Sequence, residues 1–189
     1  MGRIVATEFV SLDGVMEDPG GAEGFEHGGW TFETDRGPEG DKFKLDELAA
    51  AEAQLLGRVT YEGFAAAWPK MEDDAGFAEK MNSMPKYVVS STLESADWAN
   101  STILSGDLAE RVGELRREVD GVVLVAGSAQ LVQGLIEHDL LDELRLMVFP
   151  VILGSGKRLF GETSTKKPLR LTDSRTVGAG IALLTYEPA

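Results

Sequence analysis

The chain has 189 residues and 43% hydrophobic content, which suits one domain, residues 1–189, with a substantial core. Its 18 basic and 32 acidic side chains give a formal charge of −14, which repels nucleic acid and anionic membrane surfaces at long range. No cysteine is present, which excludes a disulfide framework, a thiolate nucleophile and cysteine-held zinc. With no signal-like N-terminus and no run of ~18 apolar residues, the expectation is a soluble, cytoplasmic protein that binds neither nucleic acid nor membrane.

Ile4 to Val10 is an apolar run that reads as a buried strand, closed by a turn at Ser11-Leu12-Asp13-Gly14. Glu17 to Gly40 holds seven glycines and two prolines and reads as a long loop of the kind that often serves binding. Asp41 suits the N-cap of a helix reaching Ala53. Gln54 to Gly57 then reads as a strand and Val59 to about Trp68 as a helix, which Pro69 stops.

The corner Gly57-Arg58-Val59-Thr60-Tyr61, following Leu55-Leu56, carries the strongest functional signal. A helix start leaves backbone N–H groups unpaired and carries partial positive charge. Gly57 admits a ligand to the main chain, and Arg58 and Thr60 add donors, so the corner suits phosphate. The competing reading is an ordinary strand-to-helix turn with a solvated arginine.

Further along, Ala75 to Met84 reads as a short helix, Lys86 to Ser90 as a strand and Asp107 to Val119 as a helix, with Asp107 and Glu110 spaced as a capping-box variant. Val122 to Ala126 is a five-residue apolar strand and Ser128 to His138 the helix behind it. Their junction, Ala126-Gly127-Ser128-Ala129-Gln130, is a second corner of the phosphate-binding type, unless Gly127 only allows close packing and Ser128 only caps the helix. A third strand end, Ser90-Ser91-Thr92, clusters hydroxyls that serve either a phosphate or a turn. Glu143 to Leu153, Arg170 to Val177 and Ile181 to Glu187 look extended, with turns at Gly154 to Gly156 and Gly178 to Gly180.

Strand–helix alternation followed by terminal strands predicts an α/β fold: a mixed, mostly parallel sheet between helical layers, with antiparallel C-terminal strands. In such sheets ligands settle beyond the carboxyl ends of strands, so the glycine corners suit one crevice. Neither GxGxxG nor GxxxxGK[ST] is present, since Gly154-Ser155-Gly156-Lys157-Arg158 has neither spacing. His27 and His138 are the only histidines and form no ligand pair, so no metal is assigned. Trp30, in the glycine-rich loop, is the aromatic best placed to cover a planar ring, against the alternative of core packing.

Taken in order, SLDG at 11–14, LLGRVTYEGF at 55–64, KYVVSST at 86–92, VAGSAQLVQGLIEHDLLDEL at 125–144 and FPVILGSGKRLF at 149–160 resemble the dihydrofolate reductase-like superfamily. Within it, the chain is most similar to the C-terminal reductase domain of the bifunctional riboflavin-biosynthesis deaminase-reductase and its stand-alone relatives. That resemblance implies a three-layer α/β/α fold, NADPH as cofactor and a pteridine-like or ribosylaminopyrimidine-like substrate, as for 5-amino-6-(5-phosphoribosylamino)uracil reductase. It also implies a homodimer, to which Leu144 to Leu153 would contribute unless that stretch is an internal strand.

By position, the resemblance places Gly57, Arg58 and Thr60 at the cofactor's phosphates and Ser90 and Ser91 at its adenosine phosphate end. Gly127, Ser128, Ala129 and Gln130 would line the pyrophosphate and nicotinamide ribose. Ser11, Asp13 and Trp30 fall on the substrate side. Asp13 and Asp41 are the acids available to organise a proton, Asp41 because it precedes Gly57 by sixteen positions, as the pterin-binding acid of dihydrofolate reductases does. Asp13 as a turn former and Asp41 as an N-cap are the structural alternatives. Two departures matter. Ala126-Gly127 replaces a Gly-Gly pair, which counts against the cis peptide associated with that pair, and the cysteines of a zinc deaminase are missing. A non-catalytic nucleotide- or pterin-binding protein on the same scaffold is the alternative function.

Overall fold

The computed structural model describes residues 1–189. Eight strands form one sheet: β1 (Arg3–Ser11), β2 (Ala51–Gly57), β3 (Lys86–Val89), β4 (Ser101–Leu104), β5 (Val122–Val125), β6 (Glu143–Phe149), β7 (Leu169–Val177) and β8 (Ile181–Pro188). Five helices accompany them: α1 (Gly37–Ala49), α2 (Arg58–Ala67), α3 (Phe77–Ser83), α4 (Leu108–Glu118) and α5 (Ala129–Glu137). The strand order is β4-β3-β2-β5-β1-β6-β8-β7. The pairs from β4 to β6 are parallel, while β8 runs antiparallel to both β6 and β7, as the sequence pattern predicts.

Alternation along β1 divides the core. Ile4, Ala6 and Val10 face a cluster completed by Val112 and Leu115 of α4 and by Leu131, Val132 and Leu135 of α5. Val5 faces the other side, where Leu48 of α1, Tyr61 of α2 and Met81 of α3 pack against Leu56, Val88 and Leu124. A third cluster, of Trp30, Met147, Phe149, Val177, Ile181 and Leu183, lies near the C-terminal strands. The sheet is therefore covered on both faces, as parallel strands require.

The structure departs from the sequence reading at α1 and β4, and at β6, which ends at Phe149 rather than reaching Leu153. Helix α1 begins at Gly37, with Pro38 in its first turn where a missing N–H costs nothing, so Asp41 lies inside the helix rather than at its cap. It ends at Ala49 because Ala51 and Ala53 pair with Val122 and Val123 in the sheet; alanine suits both periods and the pairing decides. Strand β4, a short segment with two polar residues, forms because its neighbour β3 offers a free edge. Asp107 caps α4 as expected, accepting the Glu110 N–H at 2.9 Å. Strand β6 lies between β1 and β8, so its apolar residues are internal.

Lys86, at the start of β3, is 0% exposed. Its ammonium donates to the carbonyls of Asn82 (3.0 Å), Met84 (2.8 Å) and Ala99 (2.9 Å) and lies 4.3 Å from the Trp98 ring centroid. Three donors thus meet three acceptors, tying the end of α3 to the approach to β4. We expect Lys86→Met to leave these carbonyls unanswered and to lower stability by about 2–4 kcal/mol, read as a lower urea midpoint with the fold retained.

Candidate active site

The site begins where β5 stops short. Val125, its last residue, pairs with Ala6 of β1 and Leu55 of β2, both of which run on. Two residues further along, Gly127 meets Gly57 on one side, and its N–H acts on the Glu8 carboxyl of β1 on the other. The two corners meet there: the Gly57 N–H donates to the Gly127 carbonyl at 3.2 Å. A methyl group on Gly57 would fall inside contact distance of the Ser128 hydroxyl, and one on Gly127 would lie 2.7 Å from Thr60 Oγ1. Gly127 also has φ +92°, a conformation that glycine adopts without steric cost.

The peptide between Gly127 and Ser128 is cis. Replacement of a Gly-Gly pair by Ala126-Gly127 therefore does not remove the cis bond; it lies one residue further on. From this junction α5 departs with Ser128 at its N-cap, whose hydroxyl makes no capping bond, and from Gly57 α2 departs in the same way. Two helix N-termini with unpaired N–H groups thus start side by side, next to the hydroxyls of Thr60 and Ser128, which is an anion-binding arrangement.

The remaining predicted cofactor residues surround this point. Arg58, the first residue of α2, is exposed and pairs with Glu62 at 3.1 Å. Ala129 and Gln130 open α5. Val89 pairs with Gly57, so Ser90 and Ser91 follow an adjacent strand end. The Ser90 hydroxyl accepts the N–H groups of Thr92 (3.2 Å) and Leu93 (3.0 Å), which shapes its own turn, while Ser91 is exposed.

The residues expected on the substrate side are placed differently. Ser11 donates to Asp13 Oδ1 at 2.6 Å and accepts the Val15 N–H at 2.9 Å. The Asp13 carboxylate accepts from the N–H groups of Leu153 (3.1 Å) and Gly154 (2.9 Å), and its carbonyl from Arg158. These donors, the Ser11 hydroxyl foremost, hold the Asp13 carboxyl down to about 2. It is ionised at neutral pH and pins the turn after β1 to the segment after β6.

Trp30 is a correction to the stacking expectation. It is 1% exposed, donates Nε1–H to the Glu17 carbonyl at 2.9 Å and meets Phe149 edge-on at 5.3 Å, so no face of the indole is left for a ligand ring. Its loop is folded around Asp18, whose carboxylate accepts the Ala22 and Phe25 N–H groups at 2.7 and 3.2 Å. Asp41 is exposed on α1 and paired with Arg36 at 2.6 Å, because the helix starts four residues before it.

Other charged residues gather around β1. Lys44 and Glu47 of α1 form a pair at 2.5 Å beneath which Thr7 donates to Glu47 at 3.0 Å, with Arg145 of β6 at 3.6 Å from the same carboxylate. Glu8 is 6% exposed, and its Oε1 has no hydrogen-bond partner. Burial pushes its pKa up to about 8, opposed by the Gly127 N–H and Lys44 and reinforced by Glu47. The signal in the sequence is a lone acid within the apolar run Ile4 to Val10.

This architecture defines the dihydrofolate reductase-like class of α/β proteins. Dihydrofolate reductase from Enterococcus faecalis, solved with NADP(H) and an inhibitor named RAB-propyl, superposes with a TM-score of 0.58 at 14% identity, covering 98% of this chain and 96% of that one. A Shewanella sp. PV-4 protein provisionally named for riboflavin biosynthesis gives a TM-score of 0.80 at 20% identity, with 99% of both chains covered. The sequence profile of the RibD C-terminal domain matches residues 3–183, and the chain belongs to that family. Among its relatives, the uncharacterized protein YyaP of Bacillus subtilis (strain 168) is 29% identical over 188 residues, 97% of this chain and 94% of that protein.

Because the Asp13 pKa is held below its ordinary value, the stabilisation from its bonds is complete above about pH 4 and lost as pH falls through about 2. We expect Asp13→Asn to lower the urea midpoint at neutral pH, and the gap from wild type to close on acidification across that window.

Proposed function

We propose that the chain is an NADPH-dependent reductase of a pteridine-like or ribosylaminopyrimidine-like small molecule. The observation that carries this reading is the convergence of Gly57 and Gly127 with two helix N-termini at the end of the short strand β5. The cradle fits a dinucleotide: side chains at either glycine would fill it, and Thr60, Ser128 and backbone N–H groups are available to phosphate oxygens. When bound, the reduced nicotinamide supplies the hydride.

The chain's own groups then bind and orient. Arg58 would exchange Glu62 for the extra phosphate that distinguishes NADPH, an exposed pair being easily displaced by a doubly charged oxyanion. Ser90 holds the adjacent turn and Ser91 offers an exposed hydroxyl at the adenosine end. Ala129 and Gln130 present the first turn of α5 to the pyrophosphate. Asp13 keeps the substrate-side turn in place as a permanent anion, and Asp41 stands on α1 as the exposed acid able to organise water. The reading extends to a cytoplasmic homodimer, for which light scattering should return twice the chain mass.

The placement of both predicted acids in existing bonds favours a second reading, a non-catalytic nucleotide- or pterin-binding protein. Loss of reduced-nicotinamide absorbance with a panel of pteridines and ribosylaminopyrimidines supports the reductase; binding without oxidation supports the binder. In titration calorimetry we expect Arg58→Ala to weaken NADPH about tenfold or more while changing NADH little, as loss of a charge-assisted hydrogen bond implies. Equal losses for both cofactors would remove Arg58 from the extra phosphate.

A further inference from the structure

Glu8 is one of five buried side chains with a polar atom left without a hydrogen-bond partner, and the one whose carboxyl is acted on by the Gly127 N–H. It shares the face of β1 with Ile4, Ala6 and Val10, which α4 and α5 cover, beside the Gly127 corner from which α5 departs. An ionised carboxylate in this position would be buried with one oxygen unpaired, an expensive state that a carboxyl group avoids by keeping its proton. A protonated carboxyl is a donor and needs an acceptor.

No group of the chain is hydrogen-bonded to Glu8 Oε1. Gly127 offers an N–H, itself a donor. The charged groups acting on Glu8 come from α1: Lys44 is engaged with Glu47 at 2.5 Å and with the Thr7 hydroxyl at 3.0 Å, and Glu47 is taken up by Lys44, Thr7 and, at 3.6 Å, Arg145 of β6. Helix α5 brings no charged residue before Glu137, and α2 contributes only the exposed Arg58–Glu62 pair. Alongside lie the two helix starts suited to phosphate. A ligand that answers both features carries an anion and, a short distance away, a ring bearing an amide oxygen.

We propose that the buried Glu8 carboxyl, with its unpartnered oxygen beside the Gly127 corner, donates a hydrogen bond to the carboxamide oxygen of a nicotinamide ring entering the crevice, and that losing its proton weakens nicotinamide dinucleotide binding. This rests on the dinucleotide reading above and adds a pH gate to it. The oxidised cofactor makes the test independent of turnover. With Glu8 titrating at about 8, a tenth of the molecules retain the proton at pH 9, and the apparent dissociation constant scales inversely with that fraction.

The experiment is calorimetric titration of NADP+ at pH 7 and pH 9 into wild type and Glu8→Gln, whose amide keeps a donor but does not ionise, with 2′-phospho-ADP-ribose as the probe lacking nicotinamide. The expected result is a roughly tenfold weakening of NADP+ for wild type between the two pH values, with no change for Glu8→Gln and none for 2′-phospho-ADP-ribose with either protein. A profile shared by wild type and Glu8→Gln, or one equally steep for the probe without the ring, overturns the gate while leaving dinucleotide binding intact. Failure of wild type to bind NADP+ at either pH overturns the dinucleotide reading itself. Urea denaturation without ligand reads the proton separately. The native state holds it to about pH 8 while the unfolded chain loses it near 4.5, so wild-type stability should fall relative to Glu8→Gln as pH rises through that window. A constant difference would show that Glu8 is not held protonated.

Discussion

The contact between Gly57 and Gly127 sets the position of everything around it. Strand β5 ends at Val125 while β1 and β2 continue, and the gap beyond it is closed at one side by a single backbone hydrogen bond between the two glycines. Because neither residue has a side chain, α2 and α5 start close together with their free N–H groups exposed to the same space. The same closeness puts Thr60 and Ser128 beside the opposite corner's glycine. A substituent at either position would separate the helix starts or occupy the space between them. The suitability of the crevice for an anion thus comes from backbone packing, and the surrounding side chains act on a cradle already formed.

The same packing explains which features were legible in the sequence. The corners are local: an apolar run, a glycine and a helix start follow one another within a few residues, and the order of strands and helices fixes their ends on one side of the sheet. Boundaries set by partners were less legible. Ala51 and Ala53 suit a helix or a strand until Val122 and Val123 pair with them, and Ser101–Leu104 becomes a strand only because β3 offers an edge. Pro38 starts α1 ahead of Asp41, and that shift of one turn replaces a cap with an exposed ion pair.

Long-range contacts account for the rest. Trp30 is drawn into the core by Phe149, more than a hundred residues away, and a loop rich in glycine gives no indication of which way its indole turns. The SLDG turn and the LGSGKR segment are each recognisable, yet only folding shows that they bond to each other through Asp13 and Arg158, with Val15 bridging to Arg158. Glu8 is visible as an acid in an apolar run. Its burial depends on the helical layer that covers its face of the sheet, which periodicity in β1 does not disclose.

Glu8, within β1, and Asp13, in the turn that follows it, show how environment divides the work of two carboxyl groups. Asp13 sits where the chain turns and collects a hydroxyl and two backbone N–H groups, so its charge is stabilised and its proton lost. Glu8 sits under a helix, with a single backbone N–H and a lysine already committed to another acid, so burial dominates and the proton stays. A permanent anion suits a fastening between loops, and a buried acid without partners is cheaper neutral. The chain thus places a charged carboxylate and a neutral carboxyl five residues apart on the same stretch of sequence.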